Sequence, residues 1–154
     1  MDTNLKLSRY FTLGELIRSN HRTIPNIPTQ AEIDRLSYLC INFLDPIRER
    51  FGPIWVTSGF RCVELNTAIG GARDSAHMYG CAADLNPVPE SSTVDGMFNW
   101  VANESNLLFD QVINEKAGTS RWLHIGMLRP NHEIKPRGEV LTFNDGKYVL
   151  LKKV

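Results

Sequence analysis

The stretch Ser75-Ala76-His77-Met78-Tyr79-Gly80-Cys81-Ala82-Ala83-Asp84 carries an imidazole and a carboxylate seven residues apart among small neighbours. Such a pair alone is more often a surface feature or a hydrogen-bonded core pair than a metal site. Gly80, Ala82 and Ala83 change that weighting, because small residues let the backbone fold back tightly and bring two side chains to one point. A third donor is available in Trp122-Leu123-His124-Ile125. Alternation along that run places Trp122, His124 and Gly126 on one face and Leu123, Ile125 and Met127 on the other, so His124 lies on the less apolar side, as a lined cleft requires. A neutral core histidine is the competing reading of His124. Two imidazoles and one carboxylate suit Zn²⁺ with a fourth position open for water, the arrangement of a catalytic rather than a structural site. His21 and His132 lie in polar, proline-flanked loops and are weaker candidates.

The elements that must position these residues are readable in part. Thr12-Leu13-Gly14-Glu15 and Thr29-Gln30-Ala31-Glu32 are capping boxes, the first opening a short helix to about Ser19. After the second box, Ile33, Leu36, Cys40, Phe43, Leu44 and Ile47 recur at helical spacing and define a buried stripe. Pro46 predicts a kink or a fresh helical turn, and Gly52-Pro53 ends the helix. Strand-like runs follow at 53–57, 109–113 and 122–127, with a helix expected from Val94 to Glu104. Gly70-Gly71 and Gly80 mark tight loops. In the tail, Asn144-Asp145-Gly146 signals a hairpin over about 139–152. Helices first and strands later predict an α+β fold, with N-terminal helices packed on a small antiparallel sheet.

Composition excludes several classes. The 154 residues suit one domain, 1–154, large enough to bury roughly 70% of its unfolded surface without a disulfide or metal staple. Seventeen basic and seventeen acidic residues balance to zero, which argues against binding nucleic acid or an anionic membrane. No apolar run reaches the ~18 residues of a membrane span. The N-terminal segment MDTNLKLSRYF lacks the apolar stretch of a signal peptide, so synthesis in the cytoplasm without export by that route is expected. Cys40, Cys62 and Cys81 show no CxxC spacing; three free thiols are expected, with a Cys62–Cys81 bridge the alternative.

Ser75-x-His77-x-x-Gly80-x-Ala82-x-Asp84 resembles the signature of the zinc D-alanyl-D-alanine peptidase family, which has the hedgehog/DD-peptidase-like zinc fold. A chance match at five fixed positions is on the order of 1 in 10⁴ for a chain this long. The segments 10–16, 44–49, 57–62, 109–113 and 122–125 resemble the small phage and prophage subgroup of that family. The resemblance runs from about Arg9 to Arg129 and leaves the C-terminal hairpin outside.

That resemblance implies one Zn²⁺ per chain, held by His77, Asp84 and His124. In relatives a general base, a glutamate, often stands three residues before the last histidine ligand; here that position is Arg121. The subgroup pattern transfers the role to Glu115, whose competing reading is a solvated carboxylate at a strand end. Gln111, Ile113 and Glu115 share a strand face, so alternation permits the assignment. Arg61 resembles the substrate-anchoring arginine, able to grip a carboxylate or steady an oxyanion; a structural ion pair is its alternative. Ser75, Tyr79 and Trp122 are further candidates for substrate contact. Cys81 falls at a position the signature leaves free, which suits a small buried thiol. The Asp110-Gln111 pair is a candidate to orient a ligand from behind.

The activity implied is hydrolysis of peptide bonds in bacterial peptidoglycan stem peptides, as a D-Ala-D-Ala carboxypeptidase or an endolysin-type endopeptidase. The expected partners are the peptidoglycan peptide and, as a candidate, a phage particle, with the chain acting as a monomer on the bacterial wall and encoded by a phage or prophage. The alternative is a non-catalytic, zinc-stabilised binding or virion structural module of the same fold, which the missing glutamate at position 121 keeps open.

Overall fold

The computed structural model describes residues 1–90, 92–132 and 134–154. Among the described residues, five α-helices and six strands follow one another as α1 (Leu13–Ile17), α2 (Gln30–Leu39), α3 (Asp45–Phe51), β1 (Ile54–Ser58), α4 (Val63–Ala68), β2 (Ala82–Pro87), α5 (Val94–Asn103), β3 (Gln111–Ala117), β4 (Ser120–Gly126), β5 (Glu139–Asn144) and β6 (Lys147–Lys153). A single sheet has the order β1-β2-β4-β3-β5-β6. The α+β class holds, and no helix among the described residues is long and apolar enough to cross a membrane.

Both capping boxes form. The Glu15 carboxylate accepts the Thr12 N–H and hydroxyl, each at 2.8 Å, and Glu32 does the same for Thr29 at 2.6 and 2.9 Å. These contacts satisfy N-terminal donors that a helix cannot pair internally. Helix α1 ends at Ile17, two residues before the expected Ser19. Pro46 stands in the first turn of α3 and produces a fresh helical start rather than a bend. Residues Cys40–Leu44 before it widen into a π-helical segment, where the Asp45 N–H donates to Cys40 O. A proline offers no N–H and crowds the carbonyl of the preceding turn, so one extra residue is absorbed there.

Strand β2 and helix α4 were not legible. Ala82-Ala83-Asp84-Leu85-Asn86-Pro87 has no β-branched residue, and it is a strand because it fills the space between β1 and β4. Four of the sheet's pairings are antiparallel, whereas β3 and β5 run parallel, from Gln111 opposite Glu139 to Lys116 opposite Asn144. The expected antiparallel pairing holds at every ladder of the sheet except this one. Gly126, at the end of β4, and Glu139, at the start of β5, both lie beside Gln111 at the start of β3. The connecting segment therefore begins and ends at the same edge of the sheet, and β5 can only leave in the direction of β3.

Alternation divides the sheet into two faces. Val56, Ala83, Leu85, Val112, Leu123, Ile125 and Val140 point into the core with Leu16, Leu36, Leu44 and Ile47 from the helices and Met97 and Val101 of α5. The opposite face carries Asp84, His124, Ile113 and Glu115 and forms the floor of a cleft. The three cysteines are free thiols, and burial raises the pKa of Cys40 and Cys81, the latter to about 11.

Candidate metal centre

His77, Asp84 and His124 meet on that floor. Asp84 and His124 are register partners across β2 and β4, so both project to the same face. His77 arrives from the short 3₁₀ turn Ala76–Tyr79, which Gly80 closes at φ 69°. A Cβ on Gly80 would lie 2.7 Å from Glu32 O, so a glycine is required both for the left-handed backbone and for the approach to α2.

His124 Nδ1 lies 2.9 Å from Asp84 Oδ1, and His77 Nε2 lies 3.3 Å from both. All three residues are buried, and their donor atoms lie within 4.8 Å of one another. Ligands held at the ~2.0–2.2 Å typical of zinc stand roughly 3.3 Å apart around a tetrahedron, so the donor set and spacing fit this ion. The contacts behind the donors also fit. His77 Nδ1 donates to Gly59 O at 2.7 Å, which leaves Nε2 as a lone-pair donor. Arg61 Nη2 donates to the second Asp84 oxygen at 2.9 Å, and Arg61 Nε donates to Ser58 Oγ at 2.9 Å.

The protonation states agree with ligation. Burial alone would raise the Asp84 carboxyl, but its contacts with His77 and His124 hold it well below the usual carboxylate range. Burial lowers the His77 pKa and keeps its imidazole neutral. An ionised carboxylate and a neutral imidazole are the forms that bind a metal.

The surrounding cleft, about 710 Å³, is lined by Arg61, Ser75, Glu115 and Trp122 among the expected residues. Glu115 sits opposite Trp122 in the β3–β4 ladder, and burial lifts its carboxyl to about 7. Arg121 points away from the cleft and pairs with Asp95 at 2.9 Å, as strand alternation requires for an odd offset from His124. Tyr79 stands outside that lining, next to Asp74, which belongs to it. Its ring packs against the core, and its hydroxyl donates to Asp74 Oδ1 at 2.9 Å. Asp110 takes Arg137 at 2.6 Å, and Gln111 donates to Glu139 at 2.9 Å, so the pair fastens the start of β5 to β3. His132 contacts Asp74 outside the centre.

Several contributors escaped the sequence reading. Asn26 Nδ2 donates to Ile17 O and Phe60 O, and Asn26 Oδ1 accepts the Cys62 N–H, clamping the turn that carries Arg61. No local pattern marks such a residue. Gly59 passes so close to α1 that a Cβ would lie 2.2 Å from Leu16 O. Leu141, Phe143 and Tyr148 of the C-terminal hairpin line the cleft as well; only the sheet order brings them there.

The profile of Peptidase M15 matches residues 9–125. A zinc D-Ala-D-Ala carboxypeptidase of Streptomyces albus G is 39% identical over 77 residues, which cover 49% of this chain and 30% of that protein. The matched part is thus less than a third of that relative's length.

Proposed function

This chain belongs to the Peptidase M15 family, and from that premise we propose that it is a zinc metallopeptidase hydrolysing peptide bonds in bacterial peptidoglycan stem peptides. The observation that carries the reading is the convergence of two buried imidazoles and a buried carboxylate on the floor of a cleft that Glu115 also lines. His77, Asp84 and His124 are the ligands in this reading, one ion per chain, within one domain acting as a monomer. The finer reading, a D-Ala-D-Ala carboxypeptidase or an endopeptidase of a phage or prophage lysin, rests on the sequence resemblance.

Each residue then has a defined task. When bound, zinc supplies Lewis acidity that polarises the scissile carbonyl and makes water a better nucleophile. Glu115 accepts the proton of the attacking water and returns it to the leaving amine. Arg61 fixes Asp84 through Oδ2, and its remaining N–H donors can meet a substrate carboxylate or a developing oxyanion. Ser75 and Trp122 border the substrate.

Elemental analysis of protein purified without added metal, beside His77→Ala, is the first test. About one zinc per chain, lost in the variant, is expected. Digestion of purified peptidoglycan with mass analysis of the products then identifies the bond. Wild type that stays zinc-free when offered the ion overturns the reading. Unchanged behaviour of Glu115→Ala in an otherwise zinc-loaded protein favours the non-catalytic module instead.

A further inference from the structure

The family match ends at residue 125, yet the cleft does not. Glu115 stands opposite Trp122 on β4 and beside Phe143 on β5, and Phe143 stands opposite Tyr148 on β6. One row of side chains thus crosses four strands on the cleft face. The Phe143 and Tyr148 rings lie 4.6 Å apart, tilted by 46°. Below them Leu141, the partner of Ile113, extends the same apolar surface.

The hairpin is held firmly enough to act as a wall. At the start of β5, Arg137 bonds to Asp110 and to Glu139. At the far end, Gly118 N donates to Asp145 Oδ1 at 2.7 Å and Asp145 N to Lys116 O at 3.0 Å. Tyr148 is 57% exposed on an edge strand, so the core does not account for its ring.

Resting on the peptidase reading, we infer that Phe143 and Tyr148 form a substrate-contacting wall on the Glu115 side of the centre, taking the methyl-bearing part of the peptide. The two packed rings beside Leu141 offer apolar contact to a small side chain and aromatic contact to a peptide group. They offer nothing of equal worth to glycine. The wall therefore discriminates alanine from glycine, and through it the hairpin acts in specificity.

The test compares zinc-loaded wild type, Tyr148→Ala and the double variant Phe143→Ala/Tyr148→Ala on synthetic stem peptides ending in D-Ala-D-Ala or Gly-Gly. Affinity for the same peptides is read by calorimetry in a Glu115→Gln background. Wild type is expected to favour the alanine peptide, as a methyl pocket does by about tenfold. In the variants, KM and Kd for that peptide rise several-fold, kcat falls by a smaller factor, zinc content is unchanged and the alanine preference collapses. Tyr148→Ala alone, at its exposed site, shows the same direction even where the double variant folds poorly. Turnover with unchanged Kd and undiminished alanine preference overturns the wall alone. Zinc-loaded wild type without turnover of either peptide or of peptidoglycan overturns the peptidase reading beneath it.

Discussion

Asp84 and His124 are 40 residues apart in sequence and directly opposed in the β2–β4 ladder, with His124 Nδ1 2.9 Å from Asp84 Oδ1. Opposed residues of an antiparallel pair share a face. Two of the three donors are thus set by backbone pairing, and only His77 depends on a turn. A site built this way exists before the metal arrives, so metal binding adds to the stability of a formed fold. At free zinc 100-fold above Kd the gain is about 2.7 kcal/mol. For a chain of this size a melting temperature roughly 5–10 °C higher is expected with zinc than with a chelator. Scanning calorimetry checks this, and His77→Ala should show no such difference.

Glu115→Gln keeps shape and removes the proton acceptor. A fall in kcat of about 10²–10⁴ with zinc content unchanged is expected. A rate within about threefold of wild type takes Glu115 out of the chemistry.

Arg61→Met keeps the aliphatic stem and strips Asp84 Oδ2 of its donor at 2.9 Å. Loss of such a contact behind a ligand lowers metal affinity about 10–100-fold. Competition against a chromophoric chelator measures it.

Gly59→Ala forces a Cβ to within 2.2 Å of Leu16 O, a backbone atom that cannot swing aside. Destabilisation of about 1–3 kcal/mol or more is expected from the urea midpoint. Because Gly59 O orients His77, zinc affinity should fall with it.

Stability should also depend on acid through Asp110. Burial would raise this carboxyl, but the hydrogen bonds and charge of Arg137 hold it below its ordinary value. A depressed folded pKa contributes stability that is present above the unfolded value near 3.9 and is lost as pH falls through the folded one. Asp110→Asn is expected to cost about 1–3 kcal/mol at pH 7. The cost should shrink towards pH 2–3, and urea midpoints at the two pH values check it.

Local chemistry was legible wherever a short segment suffices. The boxes at Thr12 and Thr29 form because a threonine and a glutamate three residues on satisfy each other in any context. The Asn144-Asp145-Gly146 turn forms because Asp145 and Gly146 accept φ of 44° and 94°. The donors His77, Asp84 and His124 stand out by residue type, and the structure brings them together.

By itself, then, the sequence determined the N-terminal caps, the buried helical stripe and the terminal hairpin, all set by neighbours within a few residues, and it marked His77, Asp84 and His124 as candidates by residue type. Tertiary structure alone decided that an alanine-rich segment is an inner strand and that β5 runs parallel to β3. It likewise placed Phe143 and Tyr148 beside Glu115. Strand order and register depend on which distant segments bury one another, and that free energy belongs to the assembled sheet rather than to any stretch of chain.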